Sequence, residues 1–164
     1  MNRRLTALLI SAVVFALDRW SKFEVEQHFT AFDTRTVIPG FFNLIRSENP
    51  GVAFGIFADS ASHSRTPALV LMSAAAIAVL AFLLWKIERQ DNLTAVGLSL
   101  IFGGALGNVY DRVRSGVVTD FLDFYAGSYH WYTFNLADSA IALGAAFVVL
   151  ELLRDWRHPT HERV

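Results

Sequence analysis

Apolar residues in this chain come in long blocks, not in the short periodic stripes of a water-soluble protein. Leu5 to Leu17 is nearly unbroken, Ala68 to Trp85 is almost free of polar groups, a glycine-containing run begins near Leu93, and the stretch from Phe134 to Leu153 stays apolar after its first turn. Reading the first block on through Asp18-Arg19-Trp20-Ser21-Lys22-Phe23 gives about 20 residues, the length a helix needs to cross the hydrocarbon core. The pattern predicts an all-α membrane protein with four transmembrane helices, at about 5–23, 68–85, 93–112 and 134–153. Trp20 suits the aromatic belt and Lys22 can snorkel to water, while Trp85 and Lys86 close the second span at an interface.

Two segments break the pattern. From 24 to 67 short apolar clusters are interrupted by His28, Asp33, Pro39, Gly40, Asn49, Pro50 and Gly51, and 113 to 133 is similarly mixed. Phe41 to Arg46 reads as a strand between the turn signals Pro39-Gly40 and Asn49-Pro50-Gly51, so a small extracytoplasmic β-containing subdomain is expected. Ala53-Phe54-Gly55-Ile56-Phe57 is too short to cross and is expected to dip into the interface above a site. The remaining segment, 113–133, is read as an extracytoplasmic loop carrying Asp120 and Asp123.

Basic residues in short loops and flanks set orientation. With four spans, Arg3, Arg4, Lys86, Arg89, Arg154, Arg157 and Arg163 all fall on one side, which should be the cytoplasm, with both termini there. The chain is 54% hydrophobic and 18% charged, with a mean hydropathy of +0.39, and it reads as a single membrane domain over 1–164. A cleaved signal peptide is not favoured at the N-terminus, because an Ala-x-Ala site is missing and the rest of the chain is itself membrane-like. A formal net charge of -1 argues against a nucleic-acid partner. The absence of cysteine excludes thiol nucleophiles and thiolate metal sites.

Charges inside such a chain are costly and default to a functional role with a partner to be named. Folding four spans with both ends inside brings Asp18, Asn108, Asp111, Arg112, Asn135 and Asp138 to one level at the outer interface, with Asp120 and Asp123 in the intervening loop. Each taken alone has a plainer explanation, as a cap, an interface anchor or an ion pair. Asp18 and Lys22, spaced i, i+4, read either as a helix-surface ion pair or as support for a site. Gly103-x-x-x-Gly107, with Gly97 and Gly104, reads as helix packing, since no Lys-Ser or Lys-Thr follows as a phosphate loop requires. Gathered at one level, the acids suggest a carboxylate dyad in which one member holds a proton while the other acts as base on a water. The sequence pattern does not choose between Asp120 and Asp123 as the partner of Asp138.

Five ordered blocks add a resemblance. Asp18-Arg19-Trp20-Ser21-Lys22, Asn49-Pro50-Gly51-Val52-Ala53-Phe54-Gly55, Gly103 to Arg112, Val118-Thr119-Asp120-Phe121 and Phe134-Asn135-Leu136-Ala137-Asp138-Ser139 together resemble the lipoprotein signal peptidase (signal peptidase II) family over nearly the whole length. The resemblance implies that Asp120 and Asp138 form the catalytic dyad of a membrane aspartic endopeptidase. It implies that Asn49, Gly51, Asn108, Arg112 and Asn135 bind substrate or support the dyad, with Asp18, Lys22 and Asp111 as polar support. It further implies a diacylglyceryl prolipoprotein substrate cut N-terminal to its lipidated cysteine, a place in the bacterial inner membrane among membrane lipid, sensitivity to globomycin-type inhibitors, and no metal or other cofactor. Arg19 stands where many members have glutamine, and Thr119 where many have valine.

A small proton-coupled carrier could use the same carboxylates. Carriers place binding groups near the bilayer midplane on broken helices, whereas here the polar groups crowd one interface. Ser21 and Lys22, adjacent on a helix, point apart and make a poor serine-lysine pair. His158 and His161 in the tail read as solvated residues, not a metal pair.

Overall fold

The computed structural model describes residues 3–31, 33–51, 62–86 and 92–157. The elements are α1 (Arg3–His28), β1 (Thr34–Ile38), β2 (Phe42–Asn49), α2 (Ser62–Lys86), α3 (Asn92–Ser115), β3 (Val118–Ala126), β4 (Tyr129–His130) and α4 (Leu136–Arg157). The expected interfacial segment Ala53–Phe57 and the tail histidines lie outside the described residues.

Among the described residues three helices are long and apolar enough to cross a membrane, over Pro67–Lys86, Asn92–Ser115 and Leu136–Trp156. α1 is as long, at 26 residues, but Asp18, Arg19 and Lys22 keep it from qualifying on composition alone. Two of those charges do not face outward: Asp18 and Lys22 are completely buried, while Arg19 is partly covered. The helical part is accordingly inside-out relative to a soluble protein. Ser11, Asp18, Lys22, Ser99, Asn108, Asp111 and Asn135 lie inside, while Leu71, Met72, Val79, Phe82 and Trp85 face outward.

α3 is the central helix, packed against α1, α2 and α4. Its glycines allow this, as the small-residue pattern predicts. A methyl group on Gly103 would lie 2.6 Å from the Ser11 carbonyl of α1, and one on Gly104 would lie 2.5 Å from the Ala137 carbonyl of α4. One turn further on, Gly107 leaves room for the side chain of Asp18.

The sheet is antiparallel with strand order β1-β2-β3-β4. β2 lies where Phe41 to Arg46 predicts a strand, and Gly40 takes a positive φ of 78° in the turn before it. The last turns of α1 extend beyond the expected span and pack under the sheet, where Val25 and Phe29 meet Phe121, with Leu44 and Leu122 against them.

β3 corrects the sequence reading, which has Asp120 and Asp123 in a loop. Val118 to Phe121 are all buried, as is Asp123. A strand covered on both faces shows no apolar-polar alternation, so the period-2 signal is absent although the strand is present. β2 and β3 pair Asn49 with Val118, Glu48 with Thr119 and Ser47 with Asp120. Asp120 is thereby fixed in a ladder that packs against α1 and α3.

Candidate active site

β3 delivers Asp120 and the N-terminus of α4 delivers Asp138. Asn135, completely buried, precedes α4 and caps it. Its Oδ1 accepts the Asp138 backbone N–H at 3.0 Å, and Asp138 Oδ2 accepts the Asn135 backbone N–H at 3.3 Å. This reciprocal capping box satisfies helix-end donors while fixing the Asp138 side chain. The Asn135 amide then reaches across to β3, donating from Nδ2 to Asp120 Oδ1 at 2.6 Å. A single asparagine thus touches both carboxyls.

Each acid has a further amide donor whose direction is set from behind. Asn49 Nδ2 donates to Asp120 Oδ2 at 3.1 Å, and Asn49 Oδ1 accepts the backbone N–H of Gly51 at 2.8 Å. Gly51 makes this turn with a positive φ of 81°, a conformation that glycine adopts without steric cost. On the other side Asn108 Nδ2 donates to Asp138 Oδ1 at 2.8 Å, and Asn108 Oδ1 accepts from Asn135 Nδ2 at 3.3 Å. The four side chains Asp120, Asn135, Asn108 and Asp138 form one continuous network.

Burial raises the Asp120 carboxyl from its ordinary value of 3.8 to about 6; the donor from Asn49 opposes the rise and the charge of Asp138 adds to it. A group poised there exchanges a proton readily near neutral pH. Arg112 lies within electrostatic range of Asp138, Asp120 and Asp111. Among the described residues it makes no direct salt bridge; its Nη1 donates to the Asn108 carbonyl at 3.4 Å, while its buried Nε has no partner.

Asp123 is held apart. It sits three residues from Asp120 on a strand, an odd offset that turns it to the opposite face. Asn43 donates to its Oδ2 at 2.9 Å and His130 Nδ1 lies 2.8 Å from its Oδ1. Asp18, Lys22 and Asp111 form a layer beneath the network. Lys22 Nζ lies 2.8 Å from both Asp18 Oδ2 and Asp111 Oδ2, Arg19 pairs with Asp111, and Asp18 Oδ1 accepts the Ala137 backbone N–H at 2.9 Å. Glu26, which the sequence pattern does not single out, accepts from Thr119 Oγ1 at 2.8 Å and ties α1 to β3. Its spacing of four from Lys22 on the same helix face was the available signal.

Fold and site together define a class: a helical membrane protein that gathers two carboxyls, from a strand and a helix N-terminus, at one end of its helices. The profile described as "Signal peptidase (SPase) II" matches residues 10–154. The chain is 52% identical over 148 residues to the lipoprotein signal peptidase of Solibacter usitatus, covering 90% of each. It is 39% identical over 155 residues to that of Syntrophus aciditrophicus, covering 94% of this chain and 96% of the relative. A solved structure of a bacterial membrane enzyme superimposes with a TM-score of 0.84 at 30% identity, covering 97% of this chain and 94% of the other. The chain belongs to the signal peptidase II family, and it is a membrane peptidase, of the aspartic type by family.

Proposed function

We propose that this protein removes the signal peptide from diacylglyceryl-modified prolipoproteins by intramembrane aspartic hydrolysis, cutting N-terminal to the lipidated cysteine. Family membership supports signal-peptide removal from prolipoproteins. The observation that carries the mechanism is the contact of Asn135 with both Asp120 and Asp138. One carboxylate takes a proton from a water held between the two, and the protonated partner polarises the scissile carbonyl. The water oxygen adds to the carbonyl carbon, the resulting diol collapses, and the leaving amine takes a proton from the dyad. Because such a pair titrates as a unit, the two acids share these roles across the cycle. Asn49, Asn108 and Asn135 hold the carboxyls, and Arg112 offers a cation to the substrate backbone or to developing charge.

In this reading α1 is the fourth span. Asp18 pairs with Lys22 and Asp111 with Arg19 inside the helices, so the charges that weaken its apolar signal do not face lipid. Both termini lie in the cytoplasm and the site near the outer face of the inner membrane. The substrate's acyl chains can then remain in the bilayer while its scissile bond meets the dyad. Globomycin-type inhibitors should occupy the same site.

The test is processing of a diacylglyceryl prolipoprotein by the wild type, Asp120→Asn and Asp138→Asn. Both variants are expected to bind substrate and lose turnover; normal cleavage by either one rejects the dyad. The absence of cysteine leaves the background clean for cysteine-accessibility mapping of the four spans.

A further inference from the structure

The side-chain amide of Asn108 has two ends that differ in kind, and only one orientation serves Asp138. Its NH2 end donates to Asp138 Oδ1 at 2.8 Å. Its carbonyl end accepts from Lys22 Nζ at 3.0 Å and from Asn135 Nδ2 at 3.3 Å. An ammonium group has donors and no acceptor, so Lys22 accepts nothing and forces the carbonyl of Asn108 toward itself. The NH2 must then face the dyad. With the amide reversed, Asn108 would aim its oxygen at the Asp138 carboxylate and its N–H groups at a cation.

Lys22 is built for this task. It is completely buried, and among the described residues its nitrogen makes no hydrogen bond or ion pair with either dyad carboxyl. It donates to Asp18 Oδ2 at 2.8 Å and to Asn108 Oδ1 at 3.0 Å. The third neighbour, Asp111 Oδ2, is an ion-pair partner at 2.8 Å that receives no well-aligned hydrogen bond. Asp18 carries the same restraint to α4 through the Ala137 backbone N–H. Arg19 pairs with Asp111, so two acids and two bases balance in this layer.

Building on the dyad reading above, we infer that Lys22 is a positioning residue which sets the direction of the Asn108 amide, and through it the hydrogen bonding of Asp138 and Asn135. It sets that direction by being a donor-only group, an effect separate from the charge it also exerts on Asp120. A purely structural ion pair would hold α1 against α3 equally well whichever way Asn108 faced.

Two exchanges separate these roles. Lys22→Gln combined with Asp18→Asn keeps the layer neutral and leaves an acceptor for the Ala137 N–H. It also offers Asn108 a partner that can donate or accept, so the orientation is no longer fixed. Lys22→Gln combined with Asp111→Asn does the same through the other acid, should the first pair fail to fold. The expected result in prolipoprotein processing is a KM within about threefold of the wild type and a kcat lower by roughly 10- to 100-fold, the scale of a misplaced reacting group. Lys22→Arg keeps a donor-only head and should retain more of kcat than either glutamine variant. A folded glutamine variant with wild-type kcat overturns the inference, as does Lys22→Arg falling as far as the glutamine variants. Asp120→Asn and Asp138→Asn run alongside: if they cleave normally the dyad reading itself has failed, and if they are inactive while the folded glutamine variants keep wild-type kcat, only the positioning role falls.

Discussion

Replacing Asp120 by asparagine should stabilise the protein at neutral pH while abolishing turnover. Burial is the main cause of its rise from 3.8 to about 6. At about 1.4 kcal/mol per pH unit, the rise corresponds to roughly 3 kcal/mol of native stability lost on ionisation. The sign follows from proton binding. Between about pH 4 and 6 the folded protein holds a proton on this group that the unfolded chain has released, so wild-type stability falls as pH rises through that window and is flat above it. Asparagine never ionises and escapes this cost. It loses something too, because both carboxyl oxygens accept amide donors, from Asn135 at 2.6 Å and Asn49 at 3.1 Å. An NH2 in place of one oxygen forfeits one of these bonds, worth about 1 kcal/mol net.

The variant should therefore be slightly less stable than the wild type near pH 4 and more stable by about 2 kcal/mol at pH 7.5, or about 4–8 °C in Tm for a chain of this size. Thermal unfolding of the purified protein in detergent or bicelles across pH 4–8, with processing measured on the same samples, checks both halves. A Tm difference that does not change with pH would refute the assignment of a raised, buried carboxyl at Asp120. Retained cleavage would refute its role in catalysis.

Three further outcomes are expected. Asp123→Asn should lower Tm by a few degrees through its contacts with Asn43 and His130 yet keep at least about half the processing rate; complete loss of turnover in a folded variant would move the dyad to Asp123. Gly104→Ala puts a methyl 2.5 Å from the Ala137 carbonyl, so α3 and α4 must separate. A loss of about 1–3 kcal/mol is expected, with kcat reduced because Asp138 follows Ala137, and an unchanged Tm and rate would contradict the packing. Arg19→Gln removes one of the two cations that pair with Asp111 and the cation above the Tyr110 ring; a loss of about 1–3 kcal/mol with kcat within about threefold is expected, measured by thermal unfolding and processing in parallel.

The sequence by itself determined the apolar blocks that become α1 to α4, the strand at β2, the polar positions that meet at one end of the helices, and the motif order that marks the family. These are properties of local composition and spacing, and they survive whatever the neighbours do. Gly103 and Gly104 were legible for the same reason, since a missing side chain inside an apolar block has few uses besides close packing. Tertiary structure decided the rest. Only the ladder with β2 makes 118–126 a strand, because cover on both faces erases the alternation that would announce it. Once it is a strand, an offset of three residues turns Asp120 toward α4 and Asp123 away, a choice that spacing could not make without knowing the period. The fate of the α1 charges was equally hidden. Asp18, Arg19 and Lys22 read as a polar end reaching for water, but their partners Asp111 and Asn108 lie some ninety residues later, and a buried charge is tolerated only when such partners arrive.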